Sequence, residues 1–407
     1  MKDQEISADI TAGRKRMAAT IVAGHMIKHL YNGGFGALIM PQIKIDLGLN
    51  FTQFGILATS RSLTGWLSNM YAGYLGDRFT DKSSLFLGLS LTLLGVAHFI
   101  IGFSQSYLMM LGALLLLGIG PSMFHPFAVG EMSRRFPERR GFAVSLHGMG
   151  GISGEVLGPL VFAGLLTLLV WRDLLKISII PALIMGLGLW LVLRSLSKIE
   201  SQAASRQAYL RSLGTLLRNP MLAILVASTA LRSIGEGAVE GFLPVYLKET
   251  LSYSDRDLAI TMSLAQVVGL MAQPIMGFAS DRFGRKIVLA PAALFIAVAS
   301  ILLAFAGPTW VFALVVFKGA FKFSLHHIHI AAAIDATEGK AQSTVTSLMY
   351  GAGIIGIFSP SVAGMISDSF GIQSAFLYGG SAALLAFVVL MFFKNKKRDP
   401  LVNAAEG

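Results

Sequence analysis

The sequence of 407 residues has no cysteine and few charged side chains, since Asp, Glu, Lys and Arg make up 14% of it. Without cysteine, the chain can form neither disulfide bonds nor thiolate metal sites. Soluble domains carry about 25% charged residues, so this chain has too few to cover a water-facing surface. Hydrophobic residues account for 54% of the chain. The composition argues against a soluble enzyme, a secreted disulfide scaffold and a nucleic-acid-binding protein, and it is typical of an integral membrane protein.

The apolar residues fall into twelve stretches of roughly 20 residues or more, the length that crosses a bilayer as a helix. The sequence therefore predicts an all-α integral membrane protein with twelve transmembrane helices. The stretches are 18–41, 51–75, 83–103, 107–130, 141–167, 173–193, 220–246, 257–279, 287–306, 310–334, 341–366 and 372–393. The widest polar gap predicts an N-terminal six-helix half at 1–193, a cytoplasmic basic linker at 194–219 and a C-terminal six-helix half at 220–407.

The Lys and Arg residues are unevenly divided between the two sides of the predicted membrane. With the N-terminus inside, 23 of the 33 lie in inner segments, 5 lie in outer segments and 5 lie within spans. Cytoplasmic loops carry an excess of Lys and Arg. We therefore expect both termini in the cytoplasm, in a multi-pass protein of the inner (cytoplasmic) membrane.

The loop after the second stretch of each half carries the same motif. Its copies read Gly73-Tyr-Leu-Gly-Asp77-Arg78-Phe79-Thr80-Asp81-Lys82 and Gly277-Phe-Ala-Ser-Asp281-Arg282-Phe283-Gly284-Arg285-Lys286. The duplicated loop resembles the loop between the second and third helices of the major facilitator superfamily, although Thr80 and Asp81 depart from the pattern. The resemblance implies a latch at the inner gate, formed by Gly73, Asp77, Arg78, Gly277, Asp281, Arg282, Gly284, Arg285 and Lys286.

This resemblance covers the whole chain. It implies two pseudo-symmetric six-helix halves of the major facilitator fold, with a substrate site between them at mid-membrane. It also implies secondary active transport by alternating access, without enzyme activity and without a cofactor. The expected partners are a small anionic or amphiphilic substrate, protons and the lipid bilayer, with no nucleic acid, and the expected state is a monomer.

Two further motifs predict export. Gly150, Gly154, Gly158 and Pro159 form a G-x-x-x-G-x-x-x-G-P pattern that resembles the antiporter motif of drug-exporting family members. The segments 41–55 and 118–126 resemble the fosmidomycin-resistance branch of exporters. These resemblances imply a proton-coupled antiporter that exports an organic anion or an amphiphilic, drug-like compound.

Ionisable side chains recur at helical spacing inside the predicted spans, where they are costly unless they face the protein interior. The resemblance places the first, fourth, seventh and tenth helices around the substrate cavity. The predicted substrate-binding residues are His25, Lys28, His29, Arg61, His125, Arg232, Lys318, Lys322, His326 and His329. Five of these are permanent cations, against the three mid-span carboxylates Glu155, Glu236 and Glu240, and this surplus favours an anionic substrate. The predicted proton-coupling residues are Glu155, Glu236, Glu240 and His147.

Two alternatives remain open from the sequence. The eight histidines all lie within predicted spans, so they could supply imidazole ligands in a transition-metal exporter. Lys318 and Lys322 on the stripe that carries His326 and His329 would repel a dication, and we therefore predict no metal site. The other alternative is an importer of a small organic anion, because the sequence does not determine the direction of transport.

Overall fold

The computed structural model describes residues 12–196, 216, 218–337 and 342–394, except for the side chains of Asp77, Phe323, Gln342 and Ser343. These residues form twelve long helices and no strand, which confirms the predicted all-α fold. The first helix, α1, joins Arg14–Gly34, Phe35–Ile39 and Met40–Asp46, and α2 is Phe51–Arg78. The others are α3 Thr80–Phe103, α4 Tyr107–Arg135, α5 Pro137–Leu166, α6 Trp171–Arg194, α7 Pro220–Thr250, α8 Asp255–Phe283, α9 Arg285–Leu302, α10 Pro308–Ala336, α11 Thr344–Phe370 and α12 Gln373–Met391.

Ten of the twelve described helices, α3 to α12, are long and apolar enough to cross a membrane. The first two are long enough but carry many polar residues, among them Lys28 and Arg61. The predicted spans match the helices in order, with shifts at their ends. At α4 the helix continues five residues beyond the predicted span 107–130, to Arg135. Arg134 and Arg135 therefore lie in its last turn and not in a loop. Most of the predicted linker 194–219 lies outside the described residues.

The first and seventh helices share a local irregularity. Phe35–Ile39 in α1 and Tyr246–Thr250 in α7 are both π-helical turns, and each follows a long regular segment. Such turns are rare in proteins. The turns start 211 residues apart, whereas the two copies of the loop motif start 204 residues apart, so the turns share the first helix of each half but not the same position in the repeat.

The described residues pack as two compact units. The first unit lies within 1–203, 242–266 and 360–369, and the second lies within 204–241, 267–359 and 370–407. Phe35, Phe54, Phe124 and Phe127 are among the largest fully buried side chains of the first unit. In the second unit, Leu and Ala side chains of α7, α9 and α10 form a shared apolar core with Leu390 of α12.

In the first unit, α5 packs against α1 along the glycines of the antiporter-like motif. A β-carbon at Gly150, Gly154 or Gly158 would collide with a backbone carbonyl oxygen of α1, namely that of Val22, Met26 and Leu30 respectively. Glycine at every fourth position therefore allows the two helix backbones to approach closely. This close packing places Glu155 of α5 next to the polar side chains of α1.

We predict that Gly154→Ala destabilises the protein, because its methyl group would overlap the Met26 carbonyl oxygen and the β-carbon of His29. Overpacking of this kind costs roughly 1–3 kcal/mol. The melting temperature of the purified protein in detergent should fall clearly.

The matched control is Gly148→Ala on the same helix, where an added β-carbon meets no atom within 4 Å. That variant should melt like the unchanged protein. Equal melting of the two variants would show that the glycine contacts do not hold α5 against α1.

Candidate functional site

The predicted site residues lie in two clusters of polar side chains, one in each compact unit. The N-terminal polar cluster, from α1, α2, α4 and α5, consists of His25, Lys28, His29, Asn32, Arg61, His125, His147 and Glu155. The C-terminal polar cluster, from α7 and α10, consists of Arg232, Glu236, Glu240, Lys318, Lys322, His326 and His329. Every residue predicted to bind substrate or to couple protons lies in one of these two clusters.

A chain of hydrogen bonds runs through the N-terminal polar cluster. Arg61 donates to the side-chain oxygen of Asn32. The amide nitrogen of Asn32 donates to Glu155 Oε1 at 2.8 Å. The same oxygen lies 2.7 Å from His29 Nδ1. The Glu155 carboxylate thus contacts an imidazole directly and is connected to a guanidinium through a neutral amide.

The imidazoles of this cluster lie close together. His25 stacks on His147 with ring centroids 3.8 Å apart, and it meets His29 and His125 edge to face at 4.5 and 4.8 Å. Lys28 Nζ lies 2.6 Å from His125 Nε2. Three helices, α1, α4 and α5, therefore bring four imidazoles and one ammonium group into one buried region.

The C-terminal polar cluster is organised by ion pairs. Glu240 of α7 accepts hydrogen bonds from Lys318 Nζ at 2.7 Å and from Lys322 Nζ at 2.9 Å, both on α10. One turn before Glu240, Glu236 is paired with Arg232, whose guanidinium lies 3.3 Å from His326 Nδ1. The spacing of four residues on each helix places these groups on facing stripes.

Both clusters keep a surplus of positive charge with their histidines neutral. The N-terminal polar cluster has the cations Lys28 and Arg61 and the carboxylate Glu155. In the C-terminal polar cluster, three cations, Arg232, Lys318 and Lys322, face the two carboxylates Glu236 and Glu240. Each cluster thus carries one more cation than carboxylate. Lys28, Arg232 and Lys318 are 6%, 6% and 4% exposed, so water screens these charges only weakly.

The second copy of the gate motif forms local contacts at the C-terminal end of α8. Arg285 is paired with Asp281 at 2.5 Å and with Asp335 of α10 at 2.8 Å. Gly284 has a φ of +101°, a conformation that only glycine adopts readily. Lys286 donates to the carbonyl oxygen of Met391.

In the first copy of the motif, Arg78 donates to the Tyr74 hydroxyl at 2.8 Å. The side chain of Asp77 lies outside the described residues. A β-carbon at Gly73 or Gly277 would meet no atom within 4 Å, so packing in this structure does not require glycine at either position. Arg282 lies over the ring of Phe283.

Sequence reasoning missed a second group of polar contacts in the first unit. Lys44, counted as an outer-edge cation, is 8% exposed and binds Glu249 at 2.8 Å. Asp368 accepts hydrogen bonds from the backbone N–H groups of Phe51 and Thr52 at 2.8 and 2.9 Å, at the N-terminus of α2. The only sequence signal was the position of Lys44 in the segment that resembles the fosmidomycin-resistance branch.

Sequence reasoning also missed a buried ion-pair group at the C-terminal end of α4. Glu131 is 7% exposed and is paired with Arg134 at 2.9 Å and with Arg135 at 3.2 Å. The predicted span 107–130 leaves both arginines in the inner segment that follows it. The spacing of three and four residues from Glu131 could have indicated the pairing.

Comparison with known proteins identifies the family. The family model described as Major Facilitator Superfamily matches residues 22–270 and 225–407. The fosmidomycin resistance protein of Escherichia coli (strain K12) is 23% identical over 95% of this chain and 96% of its own length. The multidrug resistance protein MdtG of Dickeya zeae (strain Ech586) is 24% identical over 92% of this chain and 95% of its own length.

Among solved structures, a bacterial homologue of the human lysosomal transporter Spinster, in an inward-facing and occupied conformation, has a similar fold. It superposes with a TM-score of 0.80 over 93% of this chain and 96% of its own, at 15% identity. At that identity the likeness shows the fold alone. Since the family model covers nearly the whole chain, the chain belongs to the major facilitator superfamily, and it is a multi-pass membrane transporter and not an enzyme.

Proposed function

We propose that the protein is a proton-coupled antiporter that exports an organic anion or an amphiphilic, drug-like compound by alternating access. The observation that carries this proposal is the surplus cation in each polar cluster. An unbalanced buried charge is unfavourable, and an anionic group that binds near it relieves the imbalance. A site for cationic compounds would need the opposite balance.

Export is supported by the names of two relatives, a fosmidomycin resistance protein and a multidrug resistance protein. We propose an inner-membrane location with both termini in the cytoplasm, from the distribution of Lys and Arg. We also propose that the transporter is a monomer. Its six-helix halves, 1–193 and 220–407, would be joined by the linker 194–219 and would move around a central substrate site.

Glu155 is our proposed proton carrier. His29 of α1 contacts it, and Lys28 of α1 and Arg61 of α2 interact with it electrostatically. His125 of α4 lies on the far side of Lys28, and His147 is two turns away on the same helix as Glu155. Its direct contacts with His29 and Asn32 are hydrogen bonds to groups without permanent charge. Glu240, by contrast, is held by two ammonium groups at hydrogen-bond distance. The surroundings of Glu155 therefore suit a carboxyl group that takes up and releases a proton in each cycle better than the surroundings of Glu240 do.

Lys322 is our proposed contact for the substrate anion in the C-terminal polar cluster. Two ammonium groups share the single carboxylate of Glu240, so the local charge remains positive. The side chain of Lys322 is 27% exposed, against 6% for that of Lys318, so Lys322 is the more accessible of the pair.

We predict that Lys322→Gln weakens binding of a phosphonate such as fosmidomycin at least tenfold, because a hydrogen bond to a charged group contributes roughly 2 kcal/mol. Calorimetry on purified protein measures the affinity. Lys322→Arg keeps the charge and should retain most of the affinity. Lys176→Gln removes an exposed lysine that is paired with Asp173 and should have no effect. Unchanged binding in folded Lys322→Gln would remove Lys322 from the site.

We predict that Glu155→Gln abolishes transport driven by a pH gradient in proteoliposomes but leaves exchange of substrate for substrate. Gln retains an acceptor for Asn32 while it loses the titratable proton. Glu138→Gln, which removes a carboxylate paired with Arg14, should keep both activities. If gradient-driven transport persisted in Glu155→Gln and in its combination with Glu240→Gln, a histidine or the substrate would carry the proton.

We predict that Asp281→Asn reduces transport while substrate affinity stays near that of the unchanged protein, since Asp281 belongs to the gate motif and to neither polar cluster. The side chain of Asp281 is 55% exposed, and Arg285 keeps its pair with Asp335, so the melting temperature should hardly change. Asp173→Asn breaks a similarly exposed pair, with Lys176, and is the matched control. Wild-type transport rates in Asp281→Asn would show that the motif only marks topology.

A further inference from the structure

Three histidines of the N-terminal polar cluster have the geometry of a cation site. His25, His125 and His147 come from α1, α4 and α5, and each has one ring nitrogen within 4.8 Å of the ring nitrogens of the other two. His25 and His147 are each 3% exposed. We propose that these three imidazoles bind one divalent transition-metal ion, a property that the proposed anion export does not require.

The hydrogen bond of His25 Nδ1 determines what the other ring nitrogen, Nε2, can bind. Its Nδ1 lies 2.6 Å from the backbone carbonyl oxygen of His147. A carbonyl oxygen only accepts, so Nδ1 carries the proton and Nε2 presents a lone pair. His25 Nε2 is buried and has no hydrogen-bond partner among the described residues. A ring whose N–H is held by a carbonyl while its other nitrogen is open is the usual arrangement of a metal-binding histidine.

His147 adds further open positions. Both of its ring nitrogens are buried without a hydrogen-bond partner within the described part of the chain. Buried polar atoms normally have hydrogen-bond partners, and a buried polar atom without one often marks the binding site of an ion or a water molecule. A lone pair on neutral imidazole repels an anion and attracts an electrophile, so the substrate anion does not satisfy these atoms. Neutral imidazole suits zinc, nickel and copper(II) ions.

Two features of this arrangement must change when a metal ion binds. The rings of His25 and His147 are nearly parallel, at 8°, so their in-plane lone pairs do not converge until one ring turns. The His147 ring can turn without losing a hydrogen bond. Lys28 Nζ, 2.6 Å from His125 Nε2, occupies the position that the metal would take on that ring. The lysine and the metal ion therefore compete for His125.

The histidines of the C-terminal polar cluster are less suitable. The guanidinium of Arg232 lies 3.3 Å from His326 Nδ1, where it would repel a dication, whereas Arg61 of the N-terminal polar cluster is hydrogen-bonded to Asn32. His329 Nδ1 is directed at the Leu325 carbonyl oxygen, and its Nε2 faces the Ser228 hydroxyl at 3.5 Å. The sequence argument against metal binding at these histidines named Lys318 and Lys322, and the contact of Arg232 with His326 is a separate reason. Spacing along the chain does not show the cluster on α1, α4 and α5.

The test uses the purified full-length protein without a polyhistidine tag, titrated with Zn²⁺ by calorimetry. We expect one ion per chain, and we expect His25→Gln and His147→Gln each to weaken binding at least tenfold. His98→Gln is the matched control, because His98 is a buried imidazole of α3 outside the trio, with Nδ1 2.8 Å from the Leu94 carbonyl oxygen. Binding that is unchanged in His147→Gln, or that falls equally in His98→Gln, overturns the proposal.

Lys28→Met separates a metal site from an anion site. Removing the competing ammonium group should tighten Zn²⁺ binding at least threefold, whereas it should weaken binding of an anion at the same place. Co²⁺, whose visible absorption reports imidazole coordination, gives an independent measurement on the unchanged protein if a histidine variant fails to fold. Absence of that absorption in both the unchanged protein and Lys28→Met, or weaker Zn²⁺ binding in Lys28→Met, would contradict the proposal.

Discussion

Ionisable groups inside a membrane-spanning helix must find partners within the protein, because lipid hydrocarbon offers none. This constraint organises the structure around α1 and α2. Of the twelve described helices, these two are not apolar enough to be recognised as membrane spans from length and composition alone. Their charged groups Lys28 and Arg61 are instead in contact with His125 and Asn32 in the first unit. The close approach of α5 to α1, permitted by glycine, brings Glu155 into the same network.

The two polar clusters meet this constraint in different ways. In the C-terminal polar cluster, carboxylates and cations are paired directly, as Glu240 is with Lys318 and Lys322. In the N-terminal polar cluster, neutral groups separate the charges, since Asn32 lies between Arg61 and Glu155. Direct pairs favour a fixed arrangement of charge, whereas imidazole and amide contacts can change partners at little electrostatic cost. The difference is the physical basis for assigning anion contact to one cluster and proton or metal chemistry to the other.

Contacts between residues far apart in the chain could not be predicted from the sequence. Lys44 binds Glu249 across a separation of 205 residues, and Asp368 binds the N-terminus of α2 across more than 300. Neither carboxylate belongs to a helical stripe or a motif. Their partners depend on which helix ends meet in the folded chain. The same holds for His147, since its stacking on His25 joins α5 to α1 across 122 residues.

The sequence by itself determined the twelve helices, the stripes of polar residues and the family, because helix length, helical periodicity and loop motifs are local properties of the chain. Only the tertiary structure decided which stripes meet: that Glu155 lies against His29 and Asn32, and that His25, His125 and His147 lie close together. Helical spacing shows which residues share a face but not how that face is rotated toward its neighbours. That rotation is set by interhelical packing, here by the glycines of α5 against the backbone of α1.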